Sequence, residues 1–175
     1  MNFRHIFILV LSMFFLSFGL PEKIKKKVFK EIKSTYDVEK FEFSVFKISD
    51  TVAKELPSKF ETDNFFEIKS ADKRIGFAYV AKAPSKTAQF DYLILLDNDL
   101  IVKKAKVLIY REEYGGEIGS KRWLRQFIGK TPEDELKYEQ DIVAISGATI
   151  SVRSMTSAVN DVLRSLKMLQ SKNIL

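Results

Sequence analysis

The residues best placed to do chemistry lie in one stretch, Asp141-Ile-Val-Ala-Ile-Ser146-Gly147-Ala148-Thr149-Ile-Ser151-Val-Arg-Ser154. Ser146, Gly147 and Ala148 are small, so the backbone there can approach a ligand closely, and Thr149 adds a hydroxyl immediately before a long helical pattern. The first N–H groups of a helix have no partner within it and carry the positive end of its dipole, which favours an anion such as phosphate. A simpler reading is that a Ser or Thr of this stretch caps the helix, which alone would account for the residue types. Gly129-Lys130-Thr131 imitates the end of a P-loop. Leu124 stands where that motif needs its first glycine, however, and a polar, charged stretch rather than a strand precedes it, so nucleotide hydrolysis is not indicated.

Composition excludes other chemistries. The 175 residues contain no cysteine, so there is no disulfide scaffold, thiolate metal or iron–sulfur site, covalent haem, thiol nucleophile or lipid-bearing N-terminal Cys. The single histidine, His5, falls in a segment expected to be cleaved or membrane-embedded, which removes Ser–His–Asp catalysis and His-ligated metals from the folded part. An apolar fraction of 46% is that of a globular chain with a core.

The elements that must position the 141–154 stretch are legible as periodicities. Glu22–Tyr36 places Ile24, Val28 and Ile32 four apart among lysines, an amphipathic helix that would cover its own domain or lie on an anionic membrane surface. Val38–Ile48 reads as a strand and Thr51–Leu56 as a short helix ended by Pro57. Phe65–Lys69, Ile75–Lys82, Phe90–Leu96 and Leu100–Tyr110 read as further strands, the last two forming a hairpin across Asp97-Asn98-Asp99. Leu93–Leu96 and Leu100–Val102 are apolar on both faces, which predicts a central hairpin. Residues 112–131 hold four of the seven glycines, with Trp123 and Phe127 four apart, and read as a loop feeding a short helix. From Ile150 onward Val152, Met155, Val159, Val162, Leu166 and Leu169 form a helix stripe of about 20 residues. Strands followed by a terminal helix predict an α+β fold, an antiparallel sheet packed with helices.

Residues 1–20 have a short cationic start and an apolar run from Ile6 to Leu20, the architecture of an export signal, with Ser17-Phe18-Gly19 as a cleavage site after Gly19. A retained N-terminal anchor is the alternative, and both place the rest of the chain outside the cytoplasm. The net charge of +6 invites a nucleic-acid partner. The cations cluster only at Lys23–Lys33 and are elsewhere mixed with acids, which argues against nucleic acid.

Ser146-Gly147-Ala148-Thr149, followed by Ile150-Ser151, resembles the SGAT signature of FMN-binding domains found in subunits of sodium-pumping NADH:quinone reductase, in Rnf electron-transport complexes and in small exported flavoproteins. Glu113-Tyr114-Gly115-Gly116-Glu117-Ile118-Gly119 resembles that family's glycine loop, and Trp123–Lys130 the segment after it, so the likeness spans about residues 73–167. Two positions depart from the pattern. Val143 stands where the family often has an acid, with Asp141 two residues earlier, and Tyr114-Gly115-Gly116 replaces its usual Thr-Pro-Gly.

The resemblance implies FMN joined by a phosphodiester bond to Thr149, installed by a flavin transferase using FAD, with Ser146, Gly147, Ala148 and Ser151 around the linkage. It also implies that Tyr114, Gly115, Gly116 and Glu117 shape the pocket, and that Trp123 either packs beside the flavin ring or is a core tryptophan. Arg122 and Arg153 would approach the phosphate or the ring, or else sit on the surface. The implied organisation is a signal or anchor (1–20), a helical and strand extension (21–66) and an FMN-binding domain (67–175). The implied role is a membrane-proximal electron carrier between a membrane redox system and an extracytoplasmic acceptor. A module of the same fold without flavin, and a reductase with its own substrate, are the alternative readings.

Overall fold

The computed structural model describes residues 19–175, so the apolar N-terminal run lies, but for Gly19 and Leu20, outside the described residues. Helix α1 (Glu22–Tyr36) is followed by β1 (Glu42–Val45), a single-turn helix α2 (Asp50–Ala53), β2 (Phe65–Ser70), β3 (Lys73–Pro84), β4 (Gln89–Leu96) and β5 (Val102–Ile109). Two 3-10 turns, at Gly116–Gly119 and Arg125–Phe127, flank α3 (Lys121–Leu124), and the chain closes with α4 (Thr149–Ser171). None of the described helices is long and apolar enough to cross a membrane.

The strands form one antiparallel sheet in the order β1-β2-β3-β4-β5, the expected α+β arrangement. Alternation along each strand divides the interior into two cores. Phe77 and Tyr79 of β3, with Phe90, Tyr92, Ile94 and Leu96 of β4, face α4. Ala78, Val80, Leu93 and Leu95 face α1, whose Ile24, Val28 and Ile32 are buried against them. The apolar side of α1 thus covers its own domain. On α4, Val152, Met155, Val159, Val162, Leu166 and Leu169 are all fully buried. Burial of a side chain of this size contributes about 1.5–3 kcal/mol before entropic costs, so this stripe fixes the helix, and with it Thr149, against the sheet.

Three expectations need correction. β5 is an edge strand and the middle of the sheet is β3. The double-sided apolar pattern of the hairpin arises because helices cover both faces, and the edge is partly closed where the amides of Val102 and Gly129 reach the carbonyls of Lys130 and Val102, each at 2.8 Å. The boundary drawn at 66/67 falls inside β2, so the N-terminal extension supplies β1 and part of β2 to the same sheet. Finally, the strand read over Val38–Ile48 pairs only over Glu42–Val45, because Phe46 and Ile48 turn to the α4 side, the same change of phase visible in the sequence.

Candidate functional site

Helix α4 starts at Thr149 with Ala148 as its N-cap, and no side chain accepts a hydrogen bond there. The expected Ser or Thr cap is therefore absent, because the hydroxyl falls one residue inside the helix. The Ala148 amide reaches the Ile145 carbonyl at 3.1 Å and the Val152 amide the Ala148 carbonyl at 2.9 Å. Between them, the amides of Thr149, Ile150 and Ser151 have no acceptor among the described residues. Thr149 is exposed, and its hydroxyl is likewise unshared.

Gly147, at φ +75°, makes the turn into the helix in the left-handed region that glycine adopts without strain. Ala148 is buried, and the glycine loop lies directly against it. A Cβ on Gly115, itself at φ +74°, would sit 2.5 Å from the Ala148 Cβ and 3.2 Å from the Gly147 carbonyl oxygen. The two motifs, some thirty residues apart in sequence, are one surface held together by two small residues.

A cleft of about 390 Å³ opens over this junction, lined by Lys86, Tyr110, Glu112, Tyr114 and the run Gly147–Ser151. That volume lies in the range of small-molecule sites. Buried Ser151 shares a hydrogen bond of 3.1 Å with Tyr110, which ties the first turn of α4 to the end of β5. Tyr114 and Ile150 stand exposed at the rim.

Glu112 accepts hydrogen bonds from Ser85 Oγ (2.5 Å), the Thr87 amide (2.7 Å), Thr87 Oγ1 (2.7 Å) and the Ala88 amide (3.1 Å). These donors, the Ser85 hydroxyl foremost, stabilise the carboxylate and lower its pKa from 4.5 to about 2. Because the folded value lies below the ordinary one, the staple contributes its full stability above pH 4.5 and loses it as pH falls through about 2. The Thr87 and Ala88 amide resonances should therefore hold constant from pH 7 down to about 4 and titrate only near 2. A transition at the ordinary carboxylate value would contradict the staple.

Gly116 and Glu117 open the 3-10 turn behind the glycine loop, and Glu117 pairs at the surface with Arg122 at 2.7 Å. Arg153 stacks on Tyr138, 4.8 Å from the ring centre. Neither arginine lines the cleft. Ser146 is exposed beside the turn. Trp123 is buried edge-on to Phe127, and its indole N–H donates to the Val143 carbonyl at 2.8 Å. The Val143 amide in turn donates to Gln126 Oε1 at 2.8 Å. Trp123 thus anchors the approach to the signature from the core and is not among the cleft-lining residues. Trp123→Phe should lower stability by about 1–2 kcal/mol in urea unfolding while leaving the absorbance maximum of a bound flavin in place; a spectral shift would put the indole on the ring. Lys86, Tyr110 and Glu112 were not singled out in the sequence.

The cleft is lined by the first residues of α4, whose amides and Thr149 hydroxyl are unpaired among the described residues and can accept an anion, while Glu112, which also lines it, is already committed to four donors. The fold and site are those of a small α+β domain with a ligand-sized cleft at a helix N-terminus. Residues 86–164 match the FMN-binding domain family, and the chain accordingly carries an FMN-binding domain. By fold the chain resembles the crystal structure of Shewanella oneidensis NqrC, with a TM-score of 0.57 and 15% identity over 87% of this chain and 100% of that one. That likeness extends the shared fold well beyond the 86–164 match. No curated protein sequence matches the chain.

Proposed function

We propose that this protein is an extracytoplasmic electron carrier whose FMN is joined to Thr149 by a phosphodiester bond formed by a flavin transferase. The observation that carries this reading is the exposed, unshared Thr149 hydroxyl at the first position of α4, beside three amides without acceptors. Those amides and the helix dipole stabilise the phosphodiester charge. Gly147 lines the cleft without a side chain, and Tyr114 and Ile150 offer apolar contact at the rim. Bound there, FMN supplies one- and two-electron transfer, while the protein provides attachment, orientation and tuning of the potential. Export by the N-terminal run would bring the domain to the transferase and keep it beside a membrane redox donor or acceptor. A carrier needs no base or nucleophile of its own, which agrees with a chain whose single histidine is His5.

The test is to produce the full-length chain with a flavin transferase, purify it from the extracytoplasmic fraction, reduce it and mix it with a one-electron acceptor. Reversible bleaching and recovery of the flavin band, with all flavin staying on the protein after denaturation, is the expected result. Flavin released on denaturation, or protein retained in the cytoplasm, would contradict the proposal.

A further inference from the structure

The tip of the β3–β4 hairpin, Ser85–Ala88, is held on two sides. Glu112 gathers Ser85, Thr87 and Ala88 through four hydrogen bonds, and it bypasses only Lys86. On the other side Ser154, in the first turns of α4, donates to the Pro84 carbonyl at 2.5 Å. The tip itself is closed by the Ser85 amide on the Ala88 carbonyl at 2.8 Å. The one side chain of the turn left without a hydrogen-bond or ion-pair partner among the described residues is Lys86, and it lines the cleft with Thr149, Ile150 and Ser151.

Charge balance in the cleft gives this arrangement a purpose. Among the described residues, Lys86 and Glu112 are the only charged side chains lining it. A phosphodiester at Thr149 would add a second negative charge to that of Glu112, and like charges in a shared cleft repel. A lysine ammonium that lines the same cleft and has no ion-pair partner among the described residues would offset that repulsion and pair with the anion. Glu112 meanwhile spends its own charge on the turn that carries the lysine.

We propose that Lys86 is the cation that pairs with the flavin phosphate at Thr149, and that Glu112 is a positioning residue that holds Lys86 there through the Ser85–Ala88 turn. This rests on attachment at Thr149. It concerns which residues of this chain recognise the phosphate.

The test uses full-length protein flavinylated by the transferase, in wild-type, Lys86→Gln, Lys86→Arg, Glu112→Gln and Lys86→Gln/Glu112→Gln forms. Two quantities are read, the phosphorus NMR resonance of the phosphodiester and the difference in Tm between flavinylated and flavin-free protein. Lys86→Gln should move the resonance and remove about half of the Tm difference, with flavin-free Tm unchanged and the remainder insensitive to salt. Lys86→Arg should restore both. Glu112→Gln should reproduce the Lys86→Gln resonance, and the double variant should go no further, because one residue acts through the other. If Glu112→Gln does not fold, Thr87→Ala removes one arm of the staple and should move the resonance the same way to a smaller extent. A Lys86→Gln protein with the wild-type resonance and the full Tm difference overturns the proposal while leaving Thr149 attachment intact. A wild-type protein with no flavin increment overturns both.

Discussion

Thr149→Ala is expected to abolish covalent flavin altogether, giving a colourless protein with the mass of the bare chain. The substitution removes the only atom through which the phosphodiester would form and leaves the helix intact, since alanine is the best helix former and the N-cap is already Ala148. Unfolding stability should change by less than about 0.5 kcal/mol, as for other exposed positions without a structural partner. Thr149→Ser, which keeps a hydroxyl at the same helical position, is the discriminating partner. Partial flavin on Thr149→Ser and none on Thr149→Ala locates the bond at this hydroxyl, whereas flavin retained by Thr149→Ala would move it elsewhere.

The second large effect is at the junction of the two motifs. Gly115→Ala should destabilise the domain by about 2–4 kcal/mol in urea unfolding, combining left-handed strain with overpacking. Its Cβ would lie 2.5 Å from that of buried Ala148, which cannot retreat without shifting the first turn of α4. Flavin attachment should fall with it, because the displaced element carries Thr149. Gly147→Ala separates the two causes. The backbone there has φ +75°, but a Cβ meets nothing within 4 Å, so only the conformational strain of about 1–2 kcal/mol should appear. Equal losses at the two positions would mean that the contact between Gly115 and Ala148 contributes nothing.

What could be read in the sequence was what is local. The α4 stripe repeats at helical spacing, β3 and β4 carry short apolar runs bounded by polar residues, and the Ser146–Thr149 and Glu113–Gly119 stretches each carry their signal within a few residues. What escaped depends on pairing between distant segments. Lys86 and Glu112 are 26 positions apart and line one cleft because the register Pro84↔Gln89 and Asp91↔Ile109 brings the β3–β4 tip beside the chain leaving β5. Neither residue has a periodicity or neighbour that marks it, and the only cue was the pair of hydroxyls at Ser85 and Thr87 around a lysine. The edge position of β5 was missed because the doubly apolar run belongs to β4 and to Leu100–Val102 ahead of β5, whereas Lys103, Lys104 and Lys106 along β5 itself are the charged composition of an edge strand. Trp123 was ambiguous because a buried tryptophan and a ring-stacking one have the same sequence signature, and only the bond to Val143 distinguishes them.

The central claim is that Thr149 carries the flavin, and peptide mapping tests it most directly. Trypsin cuts after Lys137 and Arg153, which isolates Ser146, Thr149 and Ser151 on one peptide, Tyr138–Arg153. Protein produced with a flavin transferase should yield this peptide heavier by one FMN less one water, with fragmentation placing the increment on Thr149. An unmodified peptide from correctly exported protein, or an increment on Ser146 or Ser151, would contradict it.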